Sequence, residues 1–413
     1  MRGRWMPFGV ATYAIVALLI GSNLPNPLFP LYAREFNLSP LEITLIFATY
    51  TLLVIPALIL VAPLSDSWGR RSVFVAAIVV AAAAAGLFAA ASSAAWLFAA
   101  EAVQALALGA LQGSAAPTLV ETDPTGNVRR SAAIASAATL GGAAIGPVIA
   151  GVLGEYGPLR PRLPYLIDIA LLAIALPAAL RRLPADGNGK PWRPRRPEVP
   201  REMRREFALA GVSAFVGWAV TGLFLALIPS FVTTVVGSGL VVAGGVVALM
   251  LAASTVTALL AVRLPSRPVQ LTGIASMASG VALLLVAAET AALPILLAAT
   301  LVAGAGQGLT FMGSLADVNE IAPEDRKANV VAGYYVLVYL ATALPTIGVG
   351  ALAGPVGLRQ AIAIFSVVVL AICIGGSLAL TRGRRRRVDD EALPHTGGSP
   401  CVDIRLPSSS RPE

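Results

Sequence analysis

The chain has 413 residues, of which 57% are hydrophobic and only 13% charged, and its mean hydropathy is +0.79. A soluble domain carries about 25% charged residues, so these proportions exclude a water-soluble globular protein. A net charge of +8 would point to nucleic acid in a soluble chain; here it belongs to loops that flank a membrane, and nucleic acid is excluded as a partner. Two cysteines, Cys373 and Cys401, supply neither a disulfide framework nor a metal-ligand spacing.

Taken in order, the apolar runs come at or near the ~20 residues that cross a bilayer as helix. The first starts near Phe8 and lacks a small-residue cleavage site, so it reads as a retained helix. Six spans are expected near 8–32, 41–64, 73–91, 94–120, 131–154 and 163–180. Residues 181–205 interrupt them with RRLPADGNGKPWRPRRPEVPREMRR, whose prolines and glycines oppose one long helix. Six more spans follow near 207–236, 240–262, 269–288, 291–318, 329–353 and 358–380. The pattern predicts an all-α integral membrane protein of 12 transmembrane helices in two pseudo-symmetric six-helix bundles. The bundles are 1–180 and 206–381, joined by a basic cytoplasmic linker, 181–205. A polar tail, 382–413, reads as disordered.

With the N-terminus inside the cell, twenty-six of the 30 basic residues fall on the inner side. Only Arg34, Arg160, Arg162 and Arg359 fall outside. That asymmetry predicts cytoplasmic termini and an even number of spans. The halves also echo each other: Glu121 and Pro124 recur as Glu320 and Pro323, Arg160 as Arg359, and Pro147 as Pro345. Such a parallel repeat places a binding site between the halves near the bilayer midplane.

The loop between spans two and three, Ala62–Arg71, reads APLSDSWGRR. It resembles the loop signature of the major facilitator superfamily, G-x-L-x-D-x-x-G-R-R/K. Leu64, Asp66, Gly69, Arg70 and Arg71 match, and Ala62 stands where glycine is usual. Asp66 can hold a helix N-terminus through its dipole, and Gly69 permits the tight turn. The resemblance implies a twelve-helix transporter in which Asp66, Gly69, Arg70 and Arg71 form a latch for the outward-open state. A plain positive-inside turn is the alternative.

Span five carries GGAAIGPVIAG at 141–151, with Ala138, Gly142, Gly146, Ala150 and Gly154 recurring every four residues. Such a stripe lets another helix approach closely, and Pro147 softens the helix. Gly142, Gly146, Pro147 and Gly151 resemble the antiporter signature of exporters in that superfamily, G-x-x-x-G-P-x-x-G-G, which favours export. Ordinary small-residue packing is the alternative. In span four the family often has R-x-x-Q-G; here Glu101 replaces the arginine, Gln104 matches and Ala105 replaces the glycine. A carboxyl at that place can bind and release a proton. Glu101 is therefore the first candidate for proton coupling, followed by Asp168 in span six and Asp317 at the inner end of span ten.

The resemblance implies that spans one, four, seven and ten line the cavity. The substrate candidates are Asn23, Asn26, Gln104, Gln112, Trp218, Thr221, Gln307, Tyr334, Tyr335 and Tyr339. Each could instead tie helices together. No phosphate-binding loop or catalytic triad motif is present, so neither ATP nor another cofactor is implied. The reading is proton-coupled export of small amphiphilic or hydrophobic compounds by a plasma-membrane monomer whose partners are substrate, protons and lipid. A sugar or metabolite carrier is the alternative; a membrane enzyme or a receptor is a weaker one.

Overall fold

The computed structural model describes the backbone of residues 2–184 and 191–392, and side chains outside 2–4 and 381–392. Among the described residues every regular element is helical, and twelve helices are long and apolar enough to span a membrane. In the first half they are α1 (Trp5–Glu35), α2 (Pro40–Leu60), α3 (Arg70–Ala89), α4 (Ala94–Thr122), α5 (Val128–Tyr156) and α6 (Leu163–Arg182). In the second they are α7 (Arg201–Ala226), α8 (Leu240–Ala261), α9 (Ser266–Thr290), α10 (Leu293–Ile321), α11 (Lys327–Val356) and α12 (Leu358–Leu380). The helix of α12 continues to Ala392, past the expected start of the tail; 393–413 and the linker residues 185–190 lie outside the described residues.

Local chemistry sets the helix ends. Ser39 and Glu42 cap α2 reciprocally: the Glu42 N–H donates to Ser39 Oγ at 3.2 Å, and the Ser39 N–H donates to Glu42 Oε2 at 2.8 Å. Asn127 caps α5 by accepting from the Arg130 N–H at 3.1 Å. Large apolar side chains such as Leu260, 73% exposed, and Ile374 point outward, as a surface bathed in lipid requires.

The two halves repeat each other in detail. α1 breaks at Leu24, ahead of Pro25, Pro27 and Pro30; α7 ends at Leu227, ahead of Pro229 and a short helix Ile228–Thr234. In the first half Gly109 and Gly113 of α4 press against Ala57 and Ala62 at the end of α2. In the second half Gly304 and Gly308 of α10 press against Met250 and Ser254 of α8. A methyl group at any of these four glycines would collide with the neighbouring helix, so the small residues set the helix spacing.

The bundles meet most closely at the end remote from the linker. There Gly350 of α11 lies against Pro40 and Thr44 of α2. Gly151 of α5 lies against Leu240 of α8, and Gly244 of α8 against the Pro147 carbonyl. Glu155 reinforces this closure: its Oε2 accepts from the Val241 N–H at 2.8 Å, so a carboxylate of one bundle caps a helix N-terminus of the other. The far end is thus a closed side of the bundle interface. Gln112 lies deep within α4 yet is exposed.

Candidate functional site

Between the bundles at mid-depth lies a band of amides and hydroxyls. At the break in α1, Asn26 Nδ2 donates to Asn23 Oδ1 at 3.2 Å, and Asn23 Nδ2 donates to Ser22 Oγ at 3.0 Å. Tyr50 of α2 lies near the Ser22 hydroxyl and within electrostatic range of Tyr339 of α11. Gln112 Nε2 of α4 then donates to the Tyr339 hydroxyl at 2.9 Å, across the bundle interface. The prolines after Leu24 remove the N–H groups that would bond to the preceding turn. The polar band therefore gathers where the sequence frees backbone groups from the helix ladder.

On the second bundle the band adjoins an aromatic cluster. Trp218 of α7 meets Phe311 of α10 edge-on at 5.5 Å between centroids. Phe311 neighbours Tyr334 at 6.4 Å, and Tyr334 meets Tyr335 at 5.8 Å. The buried Trp218 Nε1 finds no acceptor among the described residues.

Several sequence candidates turn elsewhere. The Tyr334 hydroxyl pairs with Ser314 Oγ at 2.8 Å inside the second bundle, and its side chain is fully buried. The Thr221 hydroxyl donates to the Gly217 carbonyl of its own helix at 2.9 Å. Gln307 Oε1 accepts from the Ser254 hydroxyl, tying α10 to α8. Asp317 accepts from Gln270 Nε2 of α9 and borders a separate cavity of about 1000 Å³ at the linker end. Met203, Glu206, Arg267 and Glu320 also line that cavity.

Glu101 is 4% exposed and faces the interior of the first bundle with the buried Gln104. The hydroxyls of Tyr32, Tyr50 and Tyr165 lie within its electrostatic range. Tyr32 donates to the Tyr165 hydroxyl at 3.1 Å. Among the described residues no cation pairs with Glu101. Asp168, 2% exposed, sits on α6 with its carboxyl against Gly21 of α1, and its Oδ1 has no partner among the described residues. Gly21 has no side chain, and the carboxyl fills the space a methyl would take.

The loop 62–71 forms a one-turn helix, Leu64–Trp68, then turns at Gly69 with φ 90°, a conformation that glycine adopts without strain. Arg70 pairs with Glu121 at the end of α4, and Arg71 donates to the Leu180 carbonyl. Gly142 and Gly146 serve α1, lying against Val16 and Ile20. Pro147 and Gly151 serve α8 of the other bundle. One helix thus uses two faces, one within its bundle and one across the interface.

The model of the Major Facilitator Superfamily matches residues 11–344. The chain belongs to that superfamily. Its fold is similar to a bacterial homologue of the human lysosomal transporter Spinster, solved in an inward-facing and unoccupied conformation. The TM-score is 0.71 at 15% identity, covering 92% of this chain and 98% of that one. It is also similar to a peptide transporter, POT, in complex with sulfate, with TM-score 0.77, 14% identity and coverage of 93% and 94%. The nucleoside transporter NupG aligns with TM-score 0.69 at 11% identity, covering 91% and 99%. These identities establish a shared fold alone. No curated protein sequence matches the chain significantly.

Tyr50, Ser22, Phe311 and Glu155 were not among the sequence candidates. Ser22 and Phe311 sit within about one helical turn of candidates that were, Asn23 and Gln307, whereas Tyr50 lies on α2, which held none. Glu155 had a sequence signal, an acidic residue at the end of a glycine-striped helix, but no visible partner.

Proposed function

We propose that the protein is a secondary active transporter that exports small amphiphilic or hydrophobic compounds in exchange for protons, by alternating access. One observation carries this reading: Glu101, an unpaired carboxyl in the interior of the first bundle, lies within electrostatic range of Tyr50, a member of the polar band between the bundles. A buried carboxyl that gains and loses a proton changes the charge of that interior, which biases one conformation over the other. The arginine distribution supports a cytoplasmic linker end and cytoplasmic termini; in this reading the protein is a plasma-membrane monomer. The far-end contacts between the bundles support loading of substrate from inside in this conformation.

The amide and hydroxyl band supports a second reading, a carrier of polar metabolites or sugars. Inside-out vesicles with an imposed pH gradient distinguish the two. A panel of fluorescent lipophilic cations, sugars and nucleosides is offered with and without the gradient. Gradient-dependent accumulation of the lipophilic probes supports export coupled to protons. Accumulation of polar solutes alone favours the second reading, and accumulation indifferent to the gradient removes the protons from the proposal.

A further inference from the structure

The arginines at the linker end of the first bundle are unevenly balanced. Arg70 pairs with Glu121. Arg130 lies within electrostatic range of Asp123 and stacks over the Trp5 ring at 4.4 Å. Arg71, Arg181 and Arg182 enter no ion pair among the described residues, and neither does Asp66 before Arg71. Asp186, after Arg182, lies outside the described residues.

The fold draws these three arginines together. Arg71 stands in the first turn of α3, and Arg181 and Arg182 end α6. The two helices pack against each other, and Arg71 Nη2 donates to the Leu180 carbonyl. That carbonyl is among the last four of α6, which lack the usual partner within a helix. It also belongs to the peptide unit that leads into Arg181, so the contact fixes Arg71 beside the other two. Arg181 and Arg182 are both exposed. Like charges gathered in this way repel one another, and an anion seated among them removes that cost.

The neighbouring surface is apolar. On α6 the exposed positions Leu166, Ala170, Ile174, Pro177 and Arg181 recur every three or four residues, which is one face of a helix. Ile174, two turns before Arg181, is 62% exposed. On α3 Ala76, Val79 and Ala83 are exposed at the same spacing. Such stripes face hydrocarbon in a membrane-spanning bundle, and Arg181 ends one of them.

We propose that Arg71, Arg181 and Arg182 form a headgroup site for one anionic phospholipid, whose chains lie along the exposed stripes of α3 and α6. Arginine suits this task because its planar fork can give two parallel hydrogen bonds to a phosphate. Arg71 spends Nη2 on the Leu180 carbonyl and has further N–H donors to offer. Continuity with the apolar stripes selects a lipid over a soluble anion, which would meet the arginines and leave the stripes unused. The bound lipid bridges the start of α3, just after the 62–71 loop, to the end of α6.

The test reads binding rather than transport, so it succeeds or fails independently of the transport reading. Full-length protein in detergent is titrated with phosphatidylglycerol, with phosphatidylcholine as the neutral control, and retained lipid is counted by native mass spectrometry. Phosphatidylglycerol is expected to be retained roughly tenfold or more over phosphatidylcholine, and R181Q/R182Q should cut its affinity by roughly tenfold or more, the scale of two arginines at an anionic lipid surface. R195Q/R196Q removes the same charge from the linker and should leave retention near that of the parent. Equal retention of the two lipids by the parent overturns the proposal, as does unchanged retention in R181Q/R182Q. An equal loss in R195Q/R196Q also overturns it, because general attraction to basic loops would then suffice. Displacement of phosphatidylglycerol by millimolar inorganic phosphate assigns the site to a free anion and overturns the lipid. R182Q alone, at an exposed helix end, should give a smaller loss in the same direction, and it keeps the test decisive if the double variant fails to fold.

Discussion

Gln112 of α4 and Tyr339 of α11 come from opposite bundles and share a hydrogen bond of 2.9 Å from the amide to the phenol oxygen. Bundles that rock against each other must break or remake it in each cycle. Y339F keeps the ring and removes the hydroxyl's own donor and acceptor. Affinity for substrate is expected to weaken by about 1 kcal/mol, near fivefold, with the fold intact. Equilibrium binding on purified protein measures it, and unchanged affinity removes Tyr339 from the candidate site.

The far-end seal depends on Gly244 lying against the Pro147 carbonyl and on Glu155 capping α8. G244V puts a branched side chain where no methyl fits. The far end is then expected to stay apart and transport to fall roughly tenfold or more, since a shift of ~1.4 kcal/mol changes a population tenfold. E155A removes the cap alone and should give the same shift in weaker form. Spin-label distances between positions 156 and 234 report the opening, and an unaltered distribution in G244V contradicts the assignment of this contact as the seal.

In the present conformation Asp66 enters no ion pair among the described residues, whereas Arg70 pairs with Glu121. D66A therefore leaves the contacts of this state in place, so any effect on turnover comes through the other state. Normal expression with transport reduced several-fold is expected. Transport at the parental rate shows that Asp66 is no latch.

The architecture was legible in the sequence because lipid imposes one demand on every span. A run of apolar residues near the bilayer thickness has few alternatives. The break in α1 was foreshadowed by Pro25, Pro27 and Pro30, and the close helix approaches by the glycine stripes. Contacts between distant positions were not legible: Glu155 meets Val241, and Trp192 meets Leu60, with nothing nearby in the chain to mark them. The resemblance put Thr221 and Gln307 on cavity-lining spans, but it does not report rotamers. Thr221 bonds its own helix and Gln307 bonds Ser254.

Asp123 closes the end of α4 just outside the membrane span. The Thr125 hydroxyl and N–H donate to its Oδ1 at 2.7 and 2.8 Å, and Ser131 donates to Oδ2 at 2.9 Å. These bonds, led by the Thr125 hydroxyl and aided by the nearby Arg130, hold the carboxyl below its usual range. A carboxyl lowered on folding stabilises the protein at pH above its unfolded value, about 3.9, and loses that contribution as pH falls through the lower folded value. D123N should lower Tm at pH 7 and narrow its gap to the parent as the pH drops below about 4. A Tm difference that does not change with pH rejects the ionised carboxylate as its source.

The last prediction concerns Glu101. Three features converge there: it is 4% exposed, no cation pairs with it among the described residues, and the hydroxyls of Tyr32, Tyr50 and Tyr165 lie within its electrostatic range. An ionised carboxylate in such a place lacks compensation and a protonated one does not. Its charge state is thus coupled to how much water enters the interior of the first bundle. E101Q keeps shape and hydrogen-bonding capacity but cannot ionise. Binding of substrate is expected to persist, and exchange down a gradient should survive. Accumulation driven by a pH gradient should fall tenfold or more. E101D, which restores an ionisable group on a shorter stem, should recover part of it, a rescue that a purely structural role would not give. Full gradient-driven accumulation in E101Q overturns the assignment and passes the role to Asp168. The corresponding substitution there is D168N; the Asp168 carboxyl, against Gly21, is the second one buried without a cation in the same bundle.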